Sequence, residues 1–318
     1  MAHIHFADAH VDWPGQGGWG SSQQLEGLGR LFGAVRVFFC EPQAVDGGRA
    51  FHTEWRVHLA EIVRLRDAAA NHACANSVTI ATTWCVEGFE SVTTALEARE
   101  FLDILSRDFG VTAVIPIYHP GNPLGGCSKE SGVGLTALGA EVIRMMFAMD
   151  IAVDFAHMSH QSMRNVLVLA DTWAREHGGK CPRICYSHGG MQHNQLTDPL
   201  IVNGNSERCI TPELAQEIIS RKGIVCLSGS RPFYPDIALF IEHITNLVQC
   251  ADSYLHVGIG MDYGGILDEW RFDGCATIAD AHQTIYQALL DRLGAEEIDL
   301  IRQICGANVL RFYRIAAD

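Results

Sequence analysis

Six apolar stretches of this 318-residue chain stop on a side chain that can hold a cation or carry a proton. The first stops on His10 and Asp12. Later ones stop on Glu87, His119, His157 and His188, and the last stops on Asp262. Neutral imidazole and carboxylate are ligands that zinc and similar borderline cations accept. One carboxylate can also bridge two cations ~3.5–4 Å apart, as in hydrolytic two-metal sites. Cations would explain why several carboxylates gather, since like charges that close otherwise force their pKa values up. Each residue alone is ordinary. A histidine after an apolar run is usually a core or surface residue, and an Asp there usually caps a helix. Six endings of one kind are what point to a metal site.

Such endings need a scaffold that brings distant strand ends together. The runs are His5–Asp12, Ala34–Cys40, Val78–Val86, Val111–His119, Ile151–His157, Arg183–His188, Gly223–Gly229 and Leu255–Asp262. Near-continuous apolar runs suit parallel strands buried on both faces. Helical periodicity marks Thr53–Ala70, Val92–Asp108, Thr136–Met149, Gln161–Glu176, Pro212–Lys222, Asp236–Cys250 and Ile278–Leu293. Thr211 before Pro212 is an N-cap followed by Pro at the first helical position. This alternation predicts an α/β fold, a (β/α)8 TIM barrel, whose strand C-termini carry the chemistry. Residues i and i+2 of a strand share a face, so His10 and Asp12 are expected to point into the mouth together. An open doubly wound sheet is the alternative. With no repeat, low-complexity tract or linker, a single domain over residues 1–318 is expected.

Composition narrows the partners. Hydrophobic residues make up 48% and charged ones 19%, the balance of a packed chain rather than a disordered one. No apolar run approaches the ~20 residues that cross a bilayer. A net charge of -14 repels nucleic-acid phosphates and anionic lipid, so neither nucleic acid nor membrane is an expected partner. The first residues lack a basic region followed by an apolar run, and the last, Ile315–Asp318, lack a hydrophobic tail. A soluble, cytoplasmic protein is therefore expected. The 11 cysteines have no framework spacing and read as reduced thiols, mostly small core hydrophobes. Cys181 and Cys185 have no second pair nearby at finger spacing, which argues against a structural zinc there.

Seven short motifs, in order, resemble the renal (membrane) dipeptidase family of zinc peptidases, in the amidohydrolase superfamily of metal-dependent barrels. Asp8-Ala9-His10-Val11-Asp12-Trp13-Pro14 is similar to the family's opening Asp-x-His-x-Asp-x-Pro. Val86-Glu87-Gly88 resembles its Glu-Gly segment, and His119–Gly125 its His-x-x-Asn-x-Leu-Gly loop. Asp154-Phe155-Ala156-His157 and Ser187-His188 resemble two further signatures. Gly258–Tyr263 and Gly306–Arg311 resemble the closing ones, so the likeness runs from Asp8 to about Arg314.

By position, the resemblance implies two Zn2+ ions, one on His10 and Asp12, the other on His157 and His188, with Glu87 bridging. It implies a metal-bridging hydroxide, with Asp262 as proton carrier and His119 on the scissile carbonyl. Arg208, in Ser206–Thr211, falls where the family binds a free substrate carboxylate. The implied activity is hydrolysis of short peptides with a free C-terminal carboxylate, including a D-residue there. The implied partner is a small peptide substrate, and family members often form homodimers. Another amide, β-lactam or ester as substrate is the nearest alternative, and a non-enzymatic metal-binding protein is a third. Two departures stand out: Gly264 occupies the place of a usual second Asp, and Gly189–Glu207 follows other wording.

Overall fold

In the computed structural model, eight strands lie side by side, all parallel, in the order of the chain. The structure describes residues 7–12, 34–40, 55–56, 59–60, 63, 81–193, 206–250, 254–263 and 268–315. Of residues 10–12, 34–40, 81–84 and 268 it describes the backbone alone. The strands are β1 (Ala7–Asp12), β2 (Ala34–Cys40), β3 (Ala81–Glu87), β4 (Val111–Ile115), β5 (Ala152–Asp154), β6 (Ile184–Tyr186), β9 (Ile224–Leu227) and β10 (Val257–Ile259). A small two-stranded ribbon, β7 (Gly190–Met191) with β8 (Cys209–Ile210), lies between β6 and β9 in the chain. The two edge strands of the large sheet meet where the Met261 N–H donates to Asp8 Oδ1 at 3.0 Å. This is the (β/α)8 barrel that the alternating pattern predicts.

Helices α1 (Ala95–Phe109), α2 (Ala137–Ala148), α3 (His160–Glu176), α4 (Pro212–Ser220) and α5 (Ile237–Cys250) join strands, and α6 (Ile278–Leu293) follows β10. Their starts are written locally. Thr94, Thr136, Ser159, Thr211 and Thr277 each accept a backbone N–H through the side chain. Glu97 and Asp280 close capping boxes on α1 and α6. The region expected as a helix over Thr53–Ala70 is helical at its described residues, Trp55, Arg56, Leu59, Ala60 and Val63.

Small side chains fill the strand ring. Ala7, Ala9, Cys85, Ala113, Cys185 and Cys226 form one cluster with Val309, Leu310 and Tyr313. Those last three belong to α8 (Asn308–Tyr313), which follows α7 (Ile298–Arg302) and a π-helical turn over Gln303–Ala307. Seven of the nine described cysteines are buried and all nine are free thiols, as small core residues should be. Among the described residues, no helix is long and apolar enough to cross a membrane.

β2 matches its apolar run, whereas β4, β5, β6, β9 and β10 are shorter than the runs that announce them. His119, His157, His188 and Asp262 all lie beyond the last strand residue, in the turns that follow. The reason is visible in the backbone. His157 and Asp262 adopt φ of 66° and 59°, left-handed values that no strand residue takes.

Candidate metal centre

Glu87 is the last residue of β3, His157 lies three residues past β5, and His188 two past β6. His157 Nε2 stands 3.0 Å from Glu87 Oε1 and 3.0 Å from His188 Nε2. His188 Nε2 is 3.8 Å from the same carboxylate oxygen. Among the described residues this is the one group of three ligand-type side chains whose donor atoms all fall within 4.8 Å. Glu87 and His188 are buried, and His157 is partly so. Two imidazole nitrogens this close share either a proton or a cation. The donor set, two imidazoles and a carboxylate, is that of zinc-type sites, so the residues fit a divalent metal.

A second layer holds them. Asp154, fully buried at the end of β5, accepts N–H groups from Ala156 and Ser187 at 3.2 and 3.0 Å. One carboxylate thereby shapes both turns, the one leading to His157 and the one leading to His188. Ser187 Oγ sits 2.9 Å from His188 Nδ1, which leaves Nε2 facing Glu87 and His157. The left-handed turn at His157 is secured by its carbonyl, which accepts from Ser128 N–H at 2.7 Å. A non-glycine residue in that region stores strain of ~1–3 kcal/mol, tolerated where the surroundings over-determine it.

His119 is placed by a residue that sequence reading missed. Glu90 Oε1 accepts three donors, Tyr118 N–H and His119 N–H at 2.9 Å each and Asn122 Nδ2 at 2.7 Å. The Tyr118 ring then lies between the two histidines, 4.3 Å from the ring of His119 and 4.2 Å from that of His157. Nothing in the periodicity marks Glu90. Its role shows only when the loop after β4 folds back over it.

Asp262 is buried, three residues beyond β10. Its approach is set by Gly260, where a Cβ would stand 1.9 Å from the Ser187 carbonyl oxygen. Only glycine lets this segment press against the turn that bears His188. Tyr263, the next residue, donates through its hydroxyl to Cys275 O at 2.6 Å and lies under the Arg271 guanidinium. Arg271 and Cys275 help line a cavity of about 580 Å3 between the loops after β9 and β10.

Arg208 ends a short 3-10 turn just before β8. Its carbonyl accepts from the Tyr186 hydroxyl at 2.8 Å, which ties it to the strand leading to His188. Burial raises the Tyr186 pKa, so that hydroxyl stays a donor. The guanidinium faces the Phe233 ring, and its buried Nη1 has no hydrogen-bond partner among the described residues. Glu207 beside it accepts from His160 N–H at 2.9 Å and from the Ser131 hydroxyl at 2.7 Å. Burial holds the His160 imidazole below its usual pKa. His10 and Asp12 lie in β1, whose register against β2 is irregular between Asp8 and Val11. Their side chains fall outside the described residues, as does Gly264.

Comparisons with known proteins give the fold and the lineage. Residues 122–318 match the family model of the membrane dipeptidases, peptidase family M19. An uncharacterized dipeptidase of Schizosaccharomyces pombe is 25% identical over 252 residues, covering 75% of this chain and 54% of its own length. A second from the same organism is 23% identical over 190 residues, 60% of this chain and 42% of its own. The chain thus spans about half the length of the curated relatives it matches. A metallopeptidase of Rhodobacter sphaeroides, solved with a phosphinate mimic of L-Ala-D-Ala, superimposes with a TM-score of 0.71. It is 17% identical, over 99% of this chain and 100% of that one. An amidohydrolase of Pseudomonas aeruginosa gives a TM-score of 0.70 at 16% identity, over 98% and 96%. At such identities the structural likeness establishes the barrel, and the family match over more than half of the sequence establishes the lineage: the chain belongs to the membrane dipeptidase family, peptidase family M19.

Proposed function

We propose that this chain is a binuclear zinc dipeptidase that cleaves short peptides bearing a free C-terminal carboxylate. The observation that carries the reading is the convergence of Glu87, His157 and His188 on one point. In this reading His157 and His188 hold one Zn2+, His10 and Asp12 hold the other, and Glu87 serves both. Bound there, the cations supply a nucleophile at neutral pH and polarise the scissile carbonyl. The chain's own groups do the rest. Asp262 takes up a proton and delivers it to the leaving amine, the work of a general acid–base group. His119, fixed by Glu90, donates toward the carbonyl oxygen as charge develops on it. Arg208 offers its planar fork to the substrate carboxylate, and the buried Nη1 supports that role. Dipeptides with a C-terminal D-residue belong to the same substrate class, like the mimic bound by the Rhodobacter sphaeroides protein. The reading treats the chain as one barrel domain.

Turnover of a dipeptide library, with and without chelator, tests this. Cleavage that stops on chelation and returns with zinc supports the reading. Metal uptake with no dipeptide hydrolysed overturns it. Within the library, Arg208→Ala should raise KM more for free dipeptides than for amidated ones. An equal rise for both would remove Arg208 from carboxylate recognition.

A further inference from the structure

We propose that His282 is a positioning residue for turnover: it holds Asp8, and through Asp8 it sets the turn that presents Asp262. The proposal rests on Asp262 being the proton carrier. His282 lies on α6, outside the strand ring, and is fully buried. Its Nε2 donates to Asp8 Oδ2 at 2.6 Å. Asp8 lies on β1 and is 1% exposed. Ala7 and Ala9 on either side belong to the cluster inside the barrel, so Asp8 projects from the opposite face, toward α6. Its Oδ1 accepts from the Met261 N–H at 3.0 Å, and Oδ2 approaches the same N–H at 3.3 Å. Met261 immediately precedes Asp262.

A carboxylate is therefore buried at the seam between the first and last strands, with donors from two other elements. Closing a barrel does not call for this. Apolar residues of similar volume seal such a seam as well or better, because burying charge carries a desolvation cost. What the pair adds is direction. Hydrogen bonds to a carboxylate fix where the Met261 amide points, which packing alone does not. Asp262 needs that restraint, since its φ of 59° is one a non-glycine side chain rarely adopts unaided. Gly260 is pinned against Ser187 on one side, Met261 is pinned by Asp8, and Asp262 follows with little freedom left. Sequence reading singled out Asp8 as part of a motif but gave it no task, and it passed over His282.

Kinetics of the metal-loaded enzyme test the proposal. His282→Leu removes the donor and keeps the volume, whereas His282→Gln keeps an N–H at similar reach. His282→Leu should lower kcat by ~10-fold or more, on the scale where ~1 Å of misplacement costs ~10²-fold. KM and metal content should stay within about twofold, and His282→Gln should recover most of the loss. In an Asp262→Asn background, His282→Leu should change kcat by less than about twofold. Should the leucine variant fail to fold, His282→Asn, polar but too short to reach Asp8, takes its place. An unchanged kcat in a folded variant that lacks the donor overturns the proposal, whatever happens to thermal stability. So does an equal loss in both backgrounds, since the effect would not pass through Asp262. Full turnover by Asp262→Asn alone refutes the proton-carrier reading itself; a loss there with none in His282→Leu refutes only the role of His282.

Discussion

The two ends of the barrel are built on opposite terms. At the starting ends of the strands, α8 inserts Val309, Leu310 and Tyr313 among alanines and cysteines. Polar groups there tie down the chain. Arg183 donates to the carbonyls of Asp150 and Phe312, and Arg314 pairs with Asp150. At the finishing ends, charged and polar side chains are buried: Glu87, Asp154, Ser187, His188 and Asp262 are all at most 9% exposed. Left-handed backbone occurs at both ends, at His157 and Asp262 here and at Asp150, Lys222 and Arg314 at the other. One end is packed for cohesion, while the other buries polar and charged side chains that only a network of hydrogen bonds makes tolerable. The lesson is that stability and chemistry can be separated along the strand axis, with strand length as the insulator.

Substitutions at either end should break or sharpen this contrast. The largest effect is expected at the finishing end. Asp262→Asn should leave metal content intact and cut turnover by ~10²-fold or more, the range of general acid–base catalysis. Unchanged turnover by steady-state assay would remove Asp262 from the mechanism. At the starting end, Leu310→Ala should cost about 2–5 kcal/mol of stability in denaturant titrations while kcat of the folded protein holds. A tenfold loss of kcat there would mean that the two ends are coupled. Ser187→Ala is the most modest of the three. Losing the hydroxyl beside His188 Nδ1 should weaken metal affinity by ~10- to 100-fold, with little change in unfolding midpoint. An affinity equal to that of the unaltered protein, measured by competition with a chelator, would show that Asp154 alone orients this turn.

The barrel was legible because apolar runs and helical periodicity alternate, and both are local signals. The site was legible in part, because residue type at the end of a run is also local. Glu87, His157 and His188 could be named that way, and the structure brings their donor atoms together. Residues that work through tertiary contact left no such trace. Glu90 matters because Tyr118, His119 and Asn122 close over it, and His282 because α6 docks against β1. The β7–β8 ribbon was missed because two-residue strands are too short for alternation to show. The π-helical turn before α8 breaks the 3.6-residue period on which helix reading depends.

Anomalous diffraction at the zinc edge, from crystals of the zinc-loaded protein, addresses the metal centre itself. The account predicts strong density in contact with His157 Nε2, His188 Nε2 and the Glu87 carboxylate, with a second peak on the far side of Glu87. Zinc bound elsewhere, with those three side chains touching no metal, would contradict it.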